Sequence, residues 1–243
     1  RRQRQMCIRD RCYTKRFDDN EYLAAFRNPH NSPNNICYLH NVYSKEMDKY
    51  FAFSKNIIAV NCIHTDIQDR ANGMDEDSDF MLVTNQSTMV KCAERCYRDF
   101  YTIVNALQES GITYNNTKKD YAAMDNKFSK SRMGIGYSSN LAQLAMTYYW
   151  TELQKDGPDE KKLKELYDNF IILSVLAQVI IDGCKREYEI DGNKEIDRIS
   201  KLPCMNIKRI VGYTESGKPK YKKYDFPEFM TVSYTHLRAH ETE

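Results

Sequence analysis

The sequence predicts an α+β protein, with barrel-like strands first and helices after. Two patterns carry that expectation. Over residues 12–86, short apolar runs at 22–26, 36–39 and 57–60 are separated by stretches rich in Asn, Asp, Ser and Pro, the signature of strands joined by loops. From Ser87 onward, apolar residues recur every three or four positions, which is the helical period.

Taken in order, Asn28 to Asn35 is the clearest loop, and Phe80-Met81-Leu82-Val83 reads as a further buried strand. Val90, Ala93, Tyr97, Phe100, Val104 and Leu107 line one helix face, with Gly111 as its stop. A shorter helix is expected from Thr117 to Phe128. Ser138 or Ser139 is placed to cap the next one, which carries Leu141, Leu144, Ala145, Tyr148 and Leu153. Gly157-Pro158 separates it from a long helix reaching about Glu187, with Pro158 in its first turn. Residues 192–202 suggest one more short helix. The Lys-, Tyr- and Pro-rich stretch 203–231 reads as irregular. The expected organisation is therefore a strand module over 12–86, a helical region over 87–202, and an irregular end.

Hydrophobic residues make up 41% of the chain and charged residues 29%, which argues against wholesale disorder. The longest apolar stretch, 170–181, is interrupted by Ser174 and Gln178 and is too short to span a bilayer. No apolar run follows the opening arginines, so no signal peptide is expected. The eight cysteines have no framework or zinc spacing, which points to a reducing compartment.

Both ends read as foreign. Arg1 to Arg11 resembles a translated sequencing-library adapter, and Val232 to Thr242 begins as its inverted counterpart, the pattern left when a transposase tags both ends of a fragment. The first end carries five Arg and one Asp, and residues 232–243 carry one Arg and two Glu. The remaining 220 residues therefore have a formal charge of −1 against +2 for the whole chain. On this reading the opening arginines say nothing about nucleic acid, and the native part is an internal piece of a longer protein.

The sharpest chemical feature is Asp75-Glu76-Asp77-Ser78-Asp79. Side-chain direction repeats every two residues in extended chain, so three carboxylates at alternate positions can converge. Converging carboxylates repel unless a cation neutralises them, and hard oxygen ligands suit Mg²⁺. A metal so held activates a hydroxyl and stabilises a phosphoryl in transit. Solvated acidic loops share this composition. The offsets of an EF-hand are missing, both here and at Asp191 to Glu195.

Order along the chain adds to the motif. Phe26-Arg27-Asn28-Pro29 with Pro33 stands upstream. Met133-Gly134-Ile135-Gly136 to Asn140 and Leu176-Ala177 to Asp182-Lys185 stand downstream. The series resembles the two-barrel RNA polymerases, both the cellular RNA-directed enzymes and the single-chain phage-type ones, over about residues 22–187. The resemblance implies a double-psi β-barrel catalytic module followed by helices along a nucleic-acid channel. It implies Asp75, Asp77 and Asp79 as ligands of a catalytic Mg²⁺, and Arg27 beside the nucleotide ribose. The implied reaction is attack of an RNA 3′-hydroxyl on the α-phosphorus of a nucleoside triphosphate, with a second, nucleotide-borne metal steadying the pyrophosphate.

The implied partners are nucleoside triphosphates, a nucleic-acid template with its RNA product, and a missing upstream barrel of the same chain, with no membrane. The implied location is the cytoplasm of a phage-infected or prophage-carrying bacterium, or a virion. Two departures stand out: Ser78 replaces the Gly before the last Asp, and Gly73 replaces an Asn two residues before the first, with Asn72 out of register.

Among basic residues, Lys127, Lys130 and Arg132 with Tyr137 could touch a phosphate backbone, or form a solvated loop. Lys185 and Arg186 fit either a template contact or a helix C-terminus. Lys218, Lys220, Lys222 and Lys223 with Tyr221 and Tyr224 form a basic-aromatic strip of the kind that binds single strands, or a solvated end. Tyr148, Tyr149 and Trp150 read as packing residues, and His30, His40 and His64 lack metal-ligand spacing. Two other functions fit the same residues: a different Mg²⁺-dependent phosphoryl-transfer enzyme such as a nuclease, and a non-catalytic nucleic-acid-binding or structural module.

Overall fold

A computed structural model describes residues 11–75, 79–183, 187–227 and 229–230, except the side chains of 128 and 130–132. Both expected adapter stretches therefore lie outside the described residues, save Arg11. The chain divides into two compact units, Arg1–Val104 and Asn105–Glu243. The expected α+β class holds, with strands concentrated in the first unit and long helices in the second.

The first unit is built on a curled five-stranded sheet. Its strands are β1 (Arg11–Tyr13), β2 (Tyr22–Arg27), β3 (Cys37–Asn41), β4 (Ala59–Val60) and β5 (Met81–Thr84), in the spatial order β4-β1-β3-β2-β5. β1 and β3 run parallel and every other pair is antiparallel. Alternation along β2 explains why both faces of the sheet are covered. Leu23 and Ala25 join Cys12, Cys37, Leu39, Ile67 and Ala71 on one side, whereas Ala24 joins Ile36, Ala93 and Cys96 on the other. The sheet does not close among the described residues. A cleft of about 250 Å³, lined by Phe17, Ile57 and Ile58 on one side and by Met81, Leu82 and Val83 on the other, lies between β5 and the chain entering β4.

Several expectations change here. Arg11 falls within the stretch expected to be foreign, yet its backbone pairs with His40 in β1. Ladder bonds depend on the backbone alone and accept any side chain that tolerates extended geometry. Two short helices interrupt the strand region, α1 (Lys45–Tyr50), capped by Ser44, and α2 (Ile67–Arg70). The strand at 80–83 is an edge strand rather than a buried one: Phe80 is 88% exposed and Leu82 71%, while Met81 and Val83 face the core.

Helix α3 (Ser87–Asp99) stops twelve residues before the expected Gly111. The stop comes from outside the segment. Arg70, 2% exposed, donates from its guanidinium to Phe100 O (3.1 Å), a carbonyl that a longer helix would need, and to Cys96 O (3.0 Å), which it shares with the Phe100 N–H that ends the helix. Arg70 also donates to Ile36 O (2.6 Å) and to the Thr102 hydroxyl (3.2 Å), and it lies 4.5 Å from the Tyr97 ring centroid. The Thr102 hydroxyl in turn donates to the Asp66 carboxylate. Asn35 donates to the Arg70 carbonyl (3.2 Å), fixing the 28–36 loop to the same point.

In the second unit the two expected helices over 117–153 are one, α4 (Lys118–Leu153), capped by Thr117. Ser138 caps nothing: its hydroxyl is buried and donates to Leu173 O at 2.7 Å. Helix α5 (Glu160–Asp182) starts two residues after Pro158, with Asp159 as its cap. The six-residue connection turns α5 back along α4, so that Tyr149 meets Tyr167 near the turn and Gly134 meets Ile180 at the far end. Leu141, Leu144, Leu166, Phe170, Leu173 and Leu176 fill the seam. Helix α6 (Gly192–Ser200) packs on both through Ile196 and Ile199.

The stretch expected to be irregular holds a hairpin, β6 (Lys208–Tyr213) and β7 (Pro219–Lys223), turned at Gly217 with φ 74°. Its lysines hide the alternation that marks a strand. The six described cysteines, Cys12, Cys37, Cys62, Cys92, Cys96 and Cys204, form no disulfide with one another. No described helix is long and apolar enough to cross a membrane.

Two substitutions test this packing. Arg70→Met keeps the stem but removes four hydrogen bonds, two of them buried; we expect a loss of about 3 kcal/mol or more in urea unfolding, and an unchanged midpoint would refute the role. A Cβ on Gly134 would lie 2.5 Å from Asn193 Oδ1 and 3.1 Å from Ile180 Cδ1, whereas one on Gly136 would meet nothing within 4 Å. Gly134→Ala should therefore cost about 1–3 kcal/mol and Gly136→Ala should stabilise α4 by up to about 1 kcal/mol, both read from thermal melts.

Candidate functional site

Pairing of β2 with β5 decides where the acidic loop lies. Arg27, the last residue of β2, is in register with Met81, so the chain just before β5 runs beside it. Its guanidinium lies 2.8 Å from Asp79 Oδ1 and donates to Asn72 O (2.9 Å) and Ala71 O (3.3 Å). One side chain thereby holds both the entry and the exit of the loop. Asp79 Oδ2 accepts the backbone N–H of Asp75 (3.0 Å), closing the loop on itself. The Arg27 and Asp79 side chains are only 12% and 18% exposed, so their attraction is less screened than that of a surface pair.

The loop entry needs unusual backbone, and its residues supply it. Asn72 (φ 61°) and Gly73 (φ 73°) are both left-handed, a conformation Asn tolerates and Gly adopts freely. Asn72, buried, donates from its amide to Pro29 O (3.0 Å), tying the acidic loop to the Arg-Asn-Pro segment. Beyond Pro29, His30 packs edge-on against Phe26, with ring centroids 5.4 Å apart. Asn31 is 4% exposed, and among the described residues both its amide oxygen and its amide nitrogen lack a hydrogen-bond partner, as does Arg27 Nε. Orphaned buried polar groups are costly and mark places where a polar ligand can be bound.

The structure thus brings Arg27 to Asp79 and to the Ala71 and Asn72 carbonyls, and Asp79 to the Asp75 backbone N–H. Asp77, with Glu76 and Ser78, lies outside the described residues. Among the described residues no group of three His, Cys, Asp or Glu side chains is poised to hold a metal. Lys130 and Arg132 fall within helix α4 rather than a loop, with side chains outside the described ones, and Lys185 and Arg186 also lie outside them.

Lys127 is committed elsewhere. Its ammonium pairs with Glu187 and donates to the Tyr114 hydroxyl (2.7 Å), which donates to Glu187 (2.7 Å). The Lys127 ammonium holds the Glu187 carboxyl below its ordinary range, and the group edges a cleft of about 490 Å³ in the second unit.

Sequence reasoning missed Arg70, Asn31 and the structural part played by Asn72. Only the last left a signal, since Asn-Gly is a turn dipeptide. No protein-family model, curated protein or solved structure matches this chain.

The loop carries a pH prediction. Burial pushes the His30 imidazole below its ordinary value of 6.5, so below that pH the unfolded chain binds a proton that the folded one refuses. Stability that is full above about pH 6.5 should drain as pH falls toward the depressed value. His30→Gln should flatten that dependence between pH 7.5 and 5.5 in denaturant titrations; parallel curves for both chains would rule it out.

Proposed function

We propose that this chain carries the catalytic loop of a Mg²⁺-dependent nucleotidyltransferase of the two-barrel RNA polymerase kind, its curled sheet forming most of a double-psi β-barrel. The observation that carries this reading is the Arg27–Asp79 pair: two motifs 52 residues apart in sequence meet at 2.8 Å. The residues suit the metal. Asp75, Asp77 and Asp79 offer only hard oxygens, and each Asp79 oxygen keeps a lone pair beyond the bond it accepts. The three aspartates would hold Mg²⁺, which when bound supplies Lewis-acid activation of a hydroxyl and neutralises phosphoryl charge.

The protein's own groups do the positioning. Arg27 fixes Asp79 and the loop entry with its two terminal nitrogens and keeps Nε for the hydroxyls of a ribose. On this reading an RNA 3′-hydroxyl attacks the α-phosphorus of the incoming nucleotide, and pyrophosphate leaves. A purely structural loop is the competing reading, favoured by the same ion pair, because Arg27 already neutralises Asp79.

The two part on activity. Joined to the upstream barrel that the resemblance implies, the protein should extend an RNA primer in Mg²⁺. Asp77→Asn should abolish extension while leaving fold and template binding intact, since binding rests on phosphate contacts spread over a channel. Undiminished synthesis by the variant would leave the loop a structural element. Alone, the chain should bind Mg²⁺ only weakly, because this ion relies on substrate phosphates to complete its shell.

A further inference from the structure

Charge is segregated in the second unit. Residues 208–223, the β6–β7 hairpin and its turn, hold Lys208, Arg209, Lys218, Lys220, Lys222 and Lys223 against the single acid Glu215. The strand register sets Lys208 opposite Lys223 and Arg209 opposite Lys222. Like charges directly opposite destabilise a ribbon, and a two-stranded ribbon has little stability to spare.

Neutralisation from within is slight. Lys223 donates to Ser200 O (2.6 Å) and lies 3.9 Å from the Asp225 carboxylate, while Arg209 and Lys222 lie over the Tyr224 ring. Lys208, Lys218, Lys220 and Lys222 are exposed and form no ion pair among the described residues. Tyr213 and Tyr221 are exposed as well, Tyr221 lying between Lys220 and Lys222.

We propose that the β6–β7 hairpin is a binding surface for single-stranded nucleic acid, its free lysines meeting phosphates and Tyr213 and Tyr221 stacking on bases. A polyanion relieves the cross-strand repulsion that remains beside the Lys223–Asp225 contact and the Tyr224 ring. Alternate residues on a strand repeat every ~6.7 Å, a spacing suited to successive phosphates of an extended single strand. Tyr213 and Tyr221 fall on the opposite face of the ribbon from Lys220 and Lys222, and an exposed ring there gives the sequence-tolerant stacking that such strands use. This inference does not rest on the acidic loop, which lies in the other unit.

The test is fluorescence anisotropy of the full chain with a labelled mixed-sequence RNA oligonucleotide over a NaCl series. The triple variant Lys218→Gln, Lys220→Gln, Lys222→Gln should bind at least tenfold more weakly at low salt. Its log K against log[salt] slope should be shallower by about 2, at roughly 0.7 for each phosphate no longer neutralised. The arginines of residues 1–11 are common to both chains and cancel in the comparison. Tyr221→Thr should weaken RNA binding about tenfold and Tyr221→Phe should not, while neither should alter binding to heparin, which has no bases. An unchanged slope in the triple variant would overturn the proposal. So would insensitivity of RNA binding to Tyr221→Thr, or equal lysine-dependent binding to phosphatidylserine vesicles, either of which would make the hairpin a general anion surface. Because none of these variants touches Arg27 or Asp77, loss of primer extension and loss of this binding are separable.

Discussion

A guanidinium buried where no described carboxylate touches it governs the first unit. Arg70 gathers Ile36 from the loop before β3, Cys96 from the end of α3, and Phe100 and Thr102 from the strand-like chain that follows. Burying a charge costs several kcal/mol unless its hydrogen bonds are met. Here carbonyl dipoles and the terminus of a helix meet them, and the nearest acid, Asp66, is one hydroxyl away. The arrangement is strict because the guanidinium fork is planar and its bond directions are fixed. Once Arg70 is placed, the chain immediately after it, Ala71 and Asn72, is placed too, and those carbonyls are the ones Arg27 grips.

What the sequence made legible follows from the range of the forces involved. β2, β3, α5 and α6 were readable because their periodicity is local and their faces are buried on the expected side. The early end of α3 was not, because its cause, Arg70, stands seventeen residues before the helix begins. The merging of two helices into α4 was hidden by Gly134 and Gly136. Gly134 is there because a side chain would strike Ile180 and Asn193, a reason invisible without the partner helix. The hairpin was hidden by lysines that read as a solvated tail. For the candidate site, the motifs singled out Arg27 and Asp79 separately and gave no sign that one arginine would hold both ends of the loop.

The clamp also sets the electrostatics of the loop. Asp79 faces a guanidinium in a poorly screened setting, so any cation approaching its oxygens meets Arg27 as a neighbour of like charge. A phosphate-bearing ligand changes the balance, since it brings negative charge that both the metal and Arg27 favour. Under the proposed function, cation and nucleotide would therefore bind cooperatively, each lowering the cost of the other.

The two apolar clusters against the sheet have a bearing on thiol chemistry. Cys12 lies in one and Cys96 in the other, and burial pushes each thiol up to about 12. The reactive species is the thiolate, and at neutral pH roughly one part in 10⁵ of such a thiol is ionised. The sheet's interior therefore resists alkylation and peroxide even though it is studded with sulfur. Cys92, one helical turn from Cys96 and open to solvent, is positioned to react before either.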